Sequence, residues 1–293
     1  MNRQEYAELC FDAIMQLHGE DEFKEMAKRL HQYQLNRKKF SLYSATLPNY
    51  LWVTKRGGGV ATRVRLLAEY LDTARIMEFT GKVRHFEFQL AYVPPDKFFS
   101  ELPRLDNTLS EITGHQRFFR GLACINITEW MHHTREEYFR KFIEYISSIG
   151  ERVLTVFYVN TENDRIVKDI EYALSHYIRF ESVWLQFPRA RELMGYVETK
   201  YFKLRGFELG RAAKSLLEES LERLMQSDNF NGYISVNQFA DDVIHSLLTS
   251  EITSRKITAD MIRGFDKESD YAKRLETTAG VKNTIGFGSP KEV

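Results

Sequence analysis

Residues 50–70, with the sequence YLWVTKRGGGVATRVRLLAEY, decide the predicted fold. The apolar run Tyr50–Val53 predicts a short buried strand, and Val60–Tyr70 carries apolar residues at helical spacing. The glycine run Gly57–Gly59 lies between these two patterns. A strand, a glycine loop and a helix in this order indicate the beginning of a βαβ unit.

Further strand patterns alternate with helical patterns up to Pro188. The predicted strands are Val83–Val93, Leu122–Ile127, Val153–Val159 and Ser182–Phe187. The helical patterns in this part are Glu5–His18, Asp21–Leu35, Asp96–Leu102, Asn107–Phe119, Thr134–Ile149 and Asp164–His176. This alternation predicts an α/β fold with a doubly wound parallel sheet, whose continuously apolar strands are covered on both faces.

Pro188 marks a change in pattern, because helical spacing alone follows it. The segments with this spacing are Arg189–Arg205, Glu208–Gln226, Val236–Thr249 and Thr258–Phe265. We therefore expect an α/β domain with N-terminal helices over residues 1–188 and a smaller all-helical lid domain over 189–277. Residues 278–293 carry no clear pattern and are expected to form a mobile tail.

The charges of the chain balance, with 41 basic and 41 acidic side chains in 293 residues. Bulk charge therefore does not favour nucleic acid or a membrane surface as a partner. Cys10 and Cys124 are far apart in sequence, which favours a reducing compartment over a disulfide framework. We expect a cytoplasmic protein, because the sequence has neither a signal-peptide pattern at its amino terminus nor an apolar run long enough to span a bilayer.

The glycine run can be aligned with the phosphate-binding P-loop motif G-x-x-x-x-G-K-[ST]. This alignment puts Thr54 at the first glycine and Gly59 at the last, so that Val60 replaces the lysine and Ala61 replaces the metal-binding hydroxyl. The candidate cofactor-binding residues are Lys55, Arg56, Gly57, Gly58, Gly59 and Thr62. The N–H groups of the three glycines would wrap a phosphate, and Lys55 and Arg56 could supply positive charge to it. Thr62 lies one position beyond the place where the motif has its metal-binding hydroxyl.

Three segments around the loop carry a resemblance to a known family. The helix Arg65–Leu71 looks like the helix that follows the P-loop in AAA+ proteins, Leu17–Glu25 resembles an entry helix, and Ile257–Ile262 resembles a closing helix. The pattern is similar to the bacterial AAA+ group that contains the red-type rubisco activases and the stage V sporulation ATPase. The resemblance spans roughly residues 15–265 and rests on the pattern and the order of the predicted elements along the chain. The resemblance implies ATP or ADP as a ligand and assembly with other protein subunits.

The resemblance also implies roles for residues that follow the later strands. Two registers can be aligned with the Walker B acids of the family. One register puts Asn126 at this place, and the other puts Thr128 and Glu129 there. The aspartate is missing in both registers. The implied catalytic residues are Glu129, which would orient water, Asn160 at sensor 1, and Arg179 near the arginine-finger region. The sensor 2 arginine, expected just after Tyr233, is missing.

Several catalytic groups are therefore lost together, and phosphoryl transfer depends on such groups for charge stabilisation. We expect a non-hydrolysing scaffold or regulatory subunit that acts on protein partners, either an active AAA+ subunit or further copies of itself. Any ATP or ADP is expected to bind weakly, without Mg²⁺. Two alternatives stay open: a divergent active ATPase that uses Lys55 or Arg56, and a doubly wound interaction domain with no nucleotide role.

Two further groups of side chains have simpler interpretations. Adjacent residues on a helix point to different sides, so His132 and His133 are expected to be solvated, and no metal site is predicted. The basic run Asn36–Lys39 is expected to be a solvated helix end.

Overall fold

A computed structural model describes residues 2–19, 21–40, 47–77, 85–89, 121–149, 153–227, 229–249 and 254–268. The chain divides into two compact units, Met1–Phe187 and Pro188–Val293. We call them the sheet unit and the helical unit.

The sheet unit is built on a five-stranded sheet, among the described residues, in which every pair is parallel. Its strands are β1 (Asn49–Thr54), β2 (His85–Gln89), β3 (Gly121–Asn126), β4 (Val153–Asn160) and β5 (Phe180–Leu185). Their spatial order is β2-β3-β4-β1-β5, so the first strand of the chain lies between the last two. The predicted doubly wound parallel sheet is confirmed.

Helices cover both faces of this sheet, as the apolar character of its strands predicts. The described helices of the unit are α1 (Arg3–Met15), α2 (Asp21–Lys39), α3 (Val60–Thr73), α4 (Glu137–Ile149) and α5 (Asp164–Ser175). One core joins α1, α2 and α3 to strand residues such as Trp52 and Val156. A second core joins α4 and α5 to residues that alternate with those, such as Leu51 and Phe157.

The side on which each helix lies follows from the direction of its crossover. The connection from β1 to β2 runs one way along the sheet, whereas those from β3 to β4 and from β4 to β5 run the other way. Because parallel crossovers are right-handed, α3 is placed on one face, and α4 and α5 on the other. The chain therefore leaves the neighbouring strands β1 and β4 towards opposite faces.

The helical unit contains four described helices and one short parallel ribbon. Its helices are α6 (Ala190–Val197), α7 (Arg211–Met225), α8 (Tyr233–Thr249) and α9 (Ala259–Glu268), and its strands are β6 (Glu208–Leu209) and β7 (Lys256–Ile257). The prediction that a helix begins at Glu208 is wrong. The N–H groups of Glu208 and Gly210 donate to the carbonyls of Arg255 and Ile257, each at 3.0 Å, which is a non-local pairing that helical spacing cannot reveal.

The predicted helix Arg189–Arg205 also differs from the observed one. After Val197 the chain continues as a π-helical turn, Glu198–Phe202, and a 3₁₀ turn, Lys203–Arg205. The wider π turn lets Tyr196 and Tyr201, five positions apart, both donate to the side-chain oxygen of Asn237, at 2.7 and 2.8 Å. This shared acceptor gives a physical reason for the irregular end of the helix.

Other differences from prediction are small or lie outside the description. The predicted helix Thr134–Ile149 begins at Glu137, and the predicted strand Ser182–Phe187 is observed as Phe180–Leu185. The predicted helices Asp96–Leu102 and Asn107–Phe119, and the tail 278–293, lie outside the described residues.

Replacing Phe142 by Ala should destabilise the sheet unit by about 3–5 kcal/mol, the usual cost of truncating a buried aromatic side chain. Phe142 is fully buried, and its ring lies 5.6 Å from that of Trp130 and 6.2 Å from that of Phe157. The matched control is Tyr172→Ala, because Tyr172 is 71% exposed, and it should change stability by only about 0.5 kcal/mol. Urea unfolding measures both values, and equal losses would contradict the assigned packing.

Candidate functional site

The candidate site lies where the carboxyl ends of β1 and β4 meet. Thr54, the last residue of β1, pairs in register with Asn160, the last residue of β4. The Thr161 N–H then donates to the Thr54 carbonyl at 3.1 Å. Because the chain leaves these two strands towards opposite faces, their carboxyl ends form the switch point at which open α/β sheets bind ligands.

The glycine loop Lys55–Gly59 leaves β1 at this point and closes on itself in a tight turn. The Gly58 N–H donates to the Lys55 carbonyl at 3.0 Å, and Gly57, the third residue of this turn, has φ +71°. Glycine is the residue that adopts this conformation at little cost. A Cβ on Gly58 would collide with the Thr54 hydroxyl and lie 2.9 Å from the Lys55 carbonyl oxygen. The side chain at the position of the first motif glycine therefore packs directly against the loop.

A buried arginine holds the other side of this turn. Arg63, in the first turn of α3, is only 3% exposed, and its guanidinium donates to the Gly58 carbonyl. Arg63 is not among the site residues predicted from the sequence. A signal was present, because Arg63 lies four residues before buried Leu67 and seven before buried Tyr70, on the apolar stripe of the helix.

The amino end of α3 keeps free donors next to the loop. Gly59 is the N-cap with φ +75° and provides no side-chain cap. The N–H groups of Gly59, Val60, Ala61 and Thr62 donate to no group in the described part of the chain. Such a helix end favours an anion, because its N–H groups and dipole present positive charge.

The two cations of the loop differ in their surroundings. The Lys55 ammonium forms an ion pair with Glu162, from the segment that follows β4, and both side chains are well exposed. Arg56 is exposed, and its side chain has no partner among the described residues. Thr62 is exposed on the first turn of α3. The structure thus places all six candidate cofactor-binding residues in one loop and helix end.

Asn126 and Thr128 are engaged with each other and with β4. The Asn126 side-chain oxygen accepts from the Thr128 N–H at 3.0 Å and from the Thr128 hydroxyl at 2.6 Å. The Thr128 hydroxyl oxygen accepts in turn from the Asn160 N–H at 3.0 Å. This chain of bonds fixes the carboxyl ends of β3 and β4 side by side. It uses the Asn126 oxygen, which is the only side-chain acceptor that an asparagine has.

Glu129 and Asn160 lie at the same edge of the sheet as the loop. Glu129 is the exposed residue of the 3₁₀ turn Thr128–Trp130, which follows β3, and its carboxylate contacts no described residue by hydrogen bond or ion pair. Asn160 is partly buried, and its backbone is fixed by Thr128. These two predicted residues are therefore near the loop in the fold, although no contact joins their side chains to it in the described residues.

Arg179 lies at the opposite end of the strands, next to the amino end of β1. Its carbonyl accepts from the backbone N–H of Asn49 at 3.0 Å and from the Asn49 side chain at 3.4 Å. Asn49 begins β1, whereas the loop follows its end at Thr54. At about 3.3 Å per residue, β1 separates the two by roughly 17 Å. Within one chain, Arg179 is not brought together with the other predicted site residues.

The helical unit has its own polar centre near the expected sensor 2 position. The Asn237 side chain accepts from two tyrosines, and burial raises the pKa of Tyr201 to about 12, with the Asp241 carboxylate adding to this effect. The raised pKa extends the pH range over which the Tyr201 hydroxyl can donate to Asn237 to about one unit below 12.

Two findings concern other kinds of site. Among the described residues, no three His, Cys, Asp or Glu side chains come together as metal ligands, and His132 and His133 follow the 3₁₀ turn after β3. No helix within the described ranges is long and apolar enough to cross a membrane.

Replacing Gly58 by Ala should destabilise the sheet unit by about 1–3 kcal/mol, the usual cost of overpacking a closed site. The added methyl group would meet the Thr54 hydroxyl. In the double variant T54A/G58A this cost should fall to about half, because the Lys55 carbonyl still crowds the methyl group. Urea unfolding of both single variants and the double variant measures the coupling, and a Gly58→Ala cost that T54A leaves unchanged would disprove the close approach.

A solved structure of C. elegans PCH-2, an AAA+ ATPase, is similar to the chain. The match covers 90% of this chain and 72% of the PCH-2 chain, with 12% sequence identity and a TM-score of 0.56. No protein-family model and no curated protein matches the sequence. At this identity the likeness shows the fold alone, and the chain shares the α/β fold of that structure.

Proposed function

We propose that this chain is an AAA+-like protein that does not hydrolyse ATP and acts as a scaffold or regulatory subunit on protein partners. Within the AAA+ superfamily, the helix Arg65–Leu71 favours the group with the red-type rubisco activases and the stage V sporulation ATPase.

The observation that carries the proposal is the side chain at the lysine position. Val60 follows the N-cap of α3 and packs against the apolar core of α1, α2 and α3. An ammonium in this place would reach the β- and γ-phosphates, and an aliphatic group cannot replace its charge. The nearest loop lysine, Lys55, is paired with Glu162.

The groups that would hold a metal ion are also unsuitable. Ala61 has no hydroxyl, and the Asn126 oxygen already accepts two hydrogen bonds from Thr128. Magnesium in nucleotide sites is held by a hydroxyl and a carboxylate, which neutralise charge that develops on the phosphates. We therefore infer weak ATP or ADP binding without Mg²⁺.

The position of Arg179 supports assembly with another subunit. Its side chain is exposed, has no partner among the described residues, and lies at the sheet edge away from its own loop. An arginine finger can be supplied by a neighbouring molecule, which this placement would permit. The partner is then a second copy of this chain or an active AAA+ subunit.

One observation favours a second candidate, a divergent ATP-binding ATPase. The free N–H groups at the start of α3 and the unpartnered Arg56 lie together and could contact a phosphate. This candidate would use Arg56 in place of the missing lysine.

The wild-type chain should release no phosphate from ATP·Mg²⁺ above the protein-free rate, and Glu129→Gln or Arg179→Ala should change nothing. Steady-state phosphate release measures this. Turnover that either substitution abolishes would overturn the proposal in favour of the active ATPase.

Light scattering on the same samples tests assembly, with the chain alone and with an active AAA+ subunit. A mass above the 34.5 kDa of one chain in either sample supports assembly, and a lone monomer in both samples contradicts it.

The double variant V60K/A61T should bind ATP·Mg²⁺ at least about tenfold more tightly than the wild type. A charge-assisted contact to a phosphate contributes about 1.5–3 kcal/mol, and the N–H groups of the loop are already in place. The matched control is Tyr172→Lys, which adds the same ammonium at a 71% exposed position near the end of α5 and should leave the affinity nearly unchanged. Calorimetric titration compares them, and an equal effect of both changes would show that the loop is not in P-loop register.

A further inference from the structure

Arg63 occupies an unfavourable place for a cation. It is 3% exposed and lies in the first turn of α3, at the end of the helix where the dipole is already positive. Burial of a guanidinium has a large desolvation cost unless its donors find acceptors. Its neighbours on the same stripe, Val64 and Leu67, are apolar core residues. A charged residue that breaks the local pattern in this way points to a specific role.

The contact of Arg63 fixes one particular peptide group. Its guanidinium donates to the Gly58 carbonyl, which belongs to the same peptide unit as the Gly59 N–H. In a trans peptide these two groups point in opposite directions. The buried guanidinium therefore holds the carbonyl on its own side of the peptide unit and turns the Gly59 N–H to the other side, away from Arg63.

Both flanks of this peptide are also set by groups of the chain. The Gly58 N–H is bonded to the Lys55 carbonyl, and the Gly59 carbonyl accepts from the Arg63 N–H at 3.4 Å. Arg63 thus holds the loop through its backbone at Gly59 and through its side chain at Gly58. In a loop without such a contact, consecutive glycines have many conformations, and a ligand has to order them.

We propose that Arg63 is a positioning residue that keeps the Gly57–Gly59 loop ordered without any bound ligand, which makes the conformation of this loop independent of nucleotide. The guanidinium orders this turn from its buried side. A bound phosphate would order the same turn from its solvent side. This inference deepens the proposed function, because a subunit that does not cycle ATP needs a loop whose shape does not follow the nucleotide state.

The test is backbone amide exchange in the full chain without nucleotide, for the wild type, Arg63→Met and the control Arg65→Met. Methionine fills much of the buried volume without donating a hydrogen bond, and Arg65 is an exposed arginine two positions further along the same helix. Exchange in residues 55–60 should accelerate at least about tenfold in R63M and less than twofold in R65M. Exchange in β4 serves as the internal reference and should not change.

Unchanged loop exchange in R63M, or equal acceleration in R65M or β4, would overturn the assignment. Arg63→Lys, which keeps the charge but loses the planar fork, should give an intermediate rate. If neither R63M nor R63K folds, Arg63 is required by the whole unit and the local role is wrong. Adding ADP·Mg²⁺ to the wild type separates the two proposals. Tenfold slower loop exchange would contradict the independence of the loop from nucleotide. Phosphate release from ATP without such slowing would contradict only the non-hydrolysing function.

Discussion

The parallel pairing of β1 between β4 and β5 is the constraint on which the candidate site depends. It brings Thr54 and Asn160 side by side, while the right-handed crossovers send α3 and α5 to opposite faces of the sheet. A crevice at that edge follows from topology alone. Every loop that follows β1, β3 or β4 contributes to this edge, and a residue that precedes a strand, such as Arg179, is placed at the other one.

At this edge of the sheet, the chain satisfies many polar groups with its own side chains. Lys55 is bonded to Glu162, Asn126 to Thr128, and the Gly58 carbonyl to Arg63. The exposed Lys55 pair adds little stability, as ion pairs in water typically do, but it neutralises a cation that a phosphate would need. The donors left over among the described residues are the N–H groups at the start of α3 and the Arg56 guanidinium. These remaining donors suit an anion.

The elements with strong periodicity were predictable from the sequence, and those that depend on distant partners were not. The buried strands at Tyr50–Val53 and Val153–Val159 and the helix after the glycines follow directly from apolar spacing. The strand Glu208–Leu209 depends on pairing with Lys256–Ile257, far along the chain, and the π turn depends on Asn237, so local patterns could not show either. The loop was identified through its glycines, whereas Arg63 was missed because charged residues in amphipathic helices are usually solvated.

The most direct test of the central claim is a spectrum of the protein labelled with ¹⁵N at glycine, recorded without and with ATP·Mg²⁺. A loop that is ordered by its own chain predicts single, sharp amide signals for Gly57, Gly58 and Gly59 before any ligand is added, with chemical shifts that saturating nucleotide moves only slightly. Signals that are broad or absent in the free protein, and that sharpen into new positions when nucleotide binds, would contradict the account.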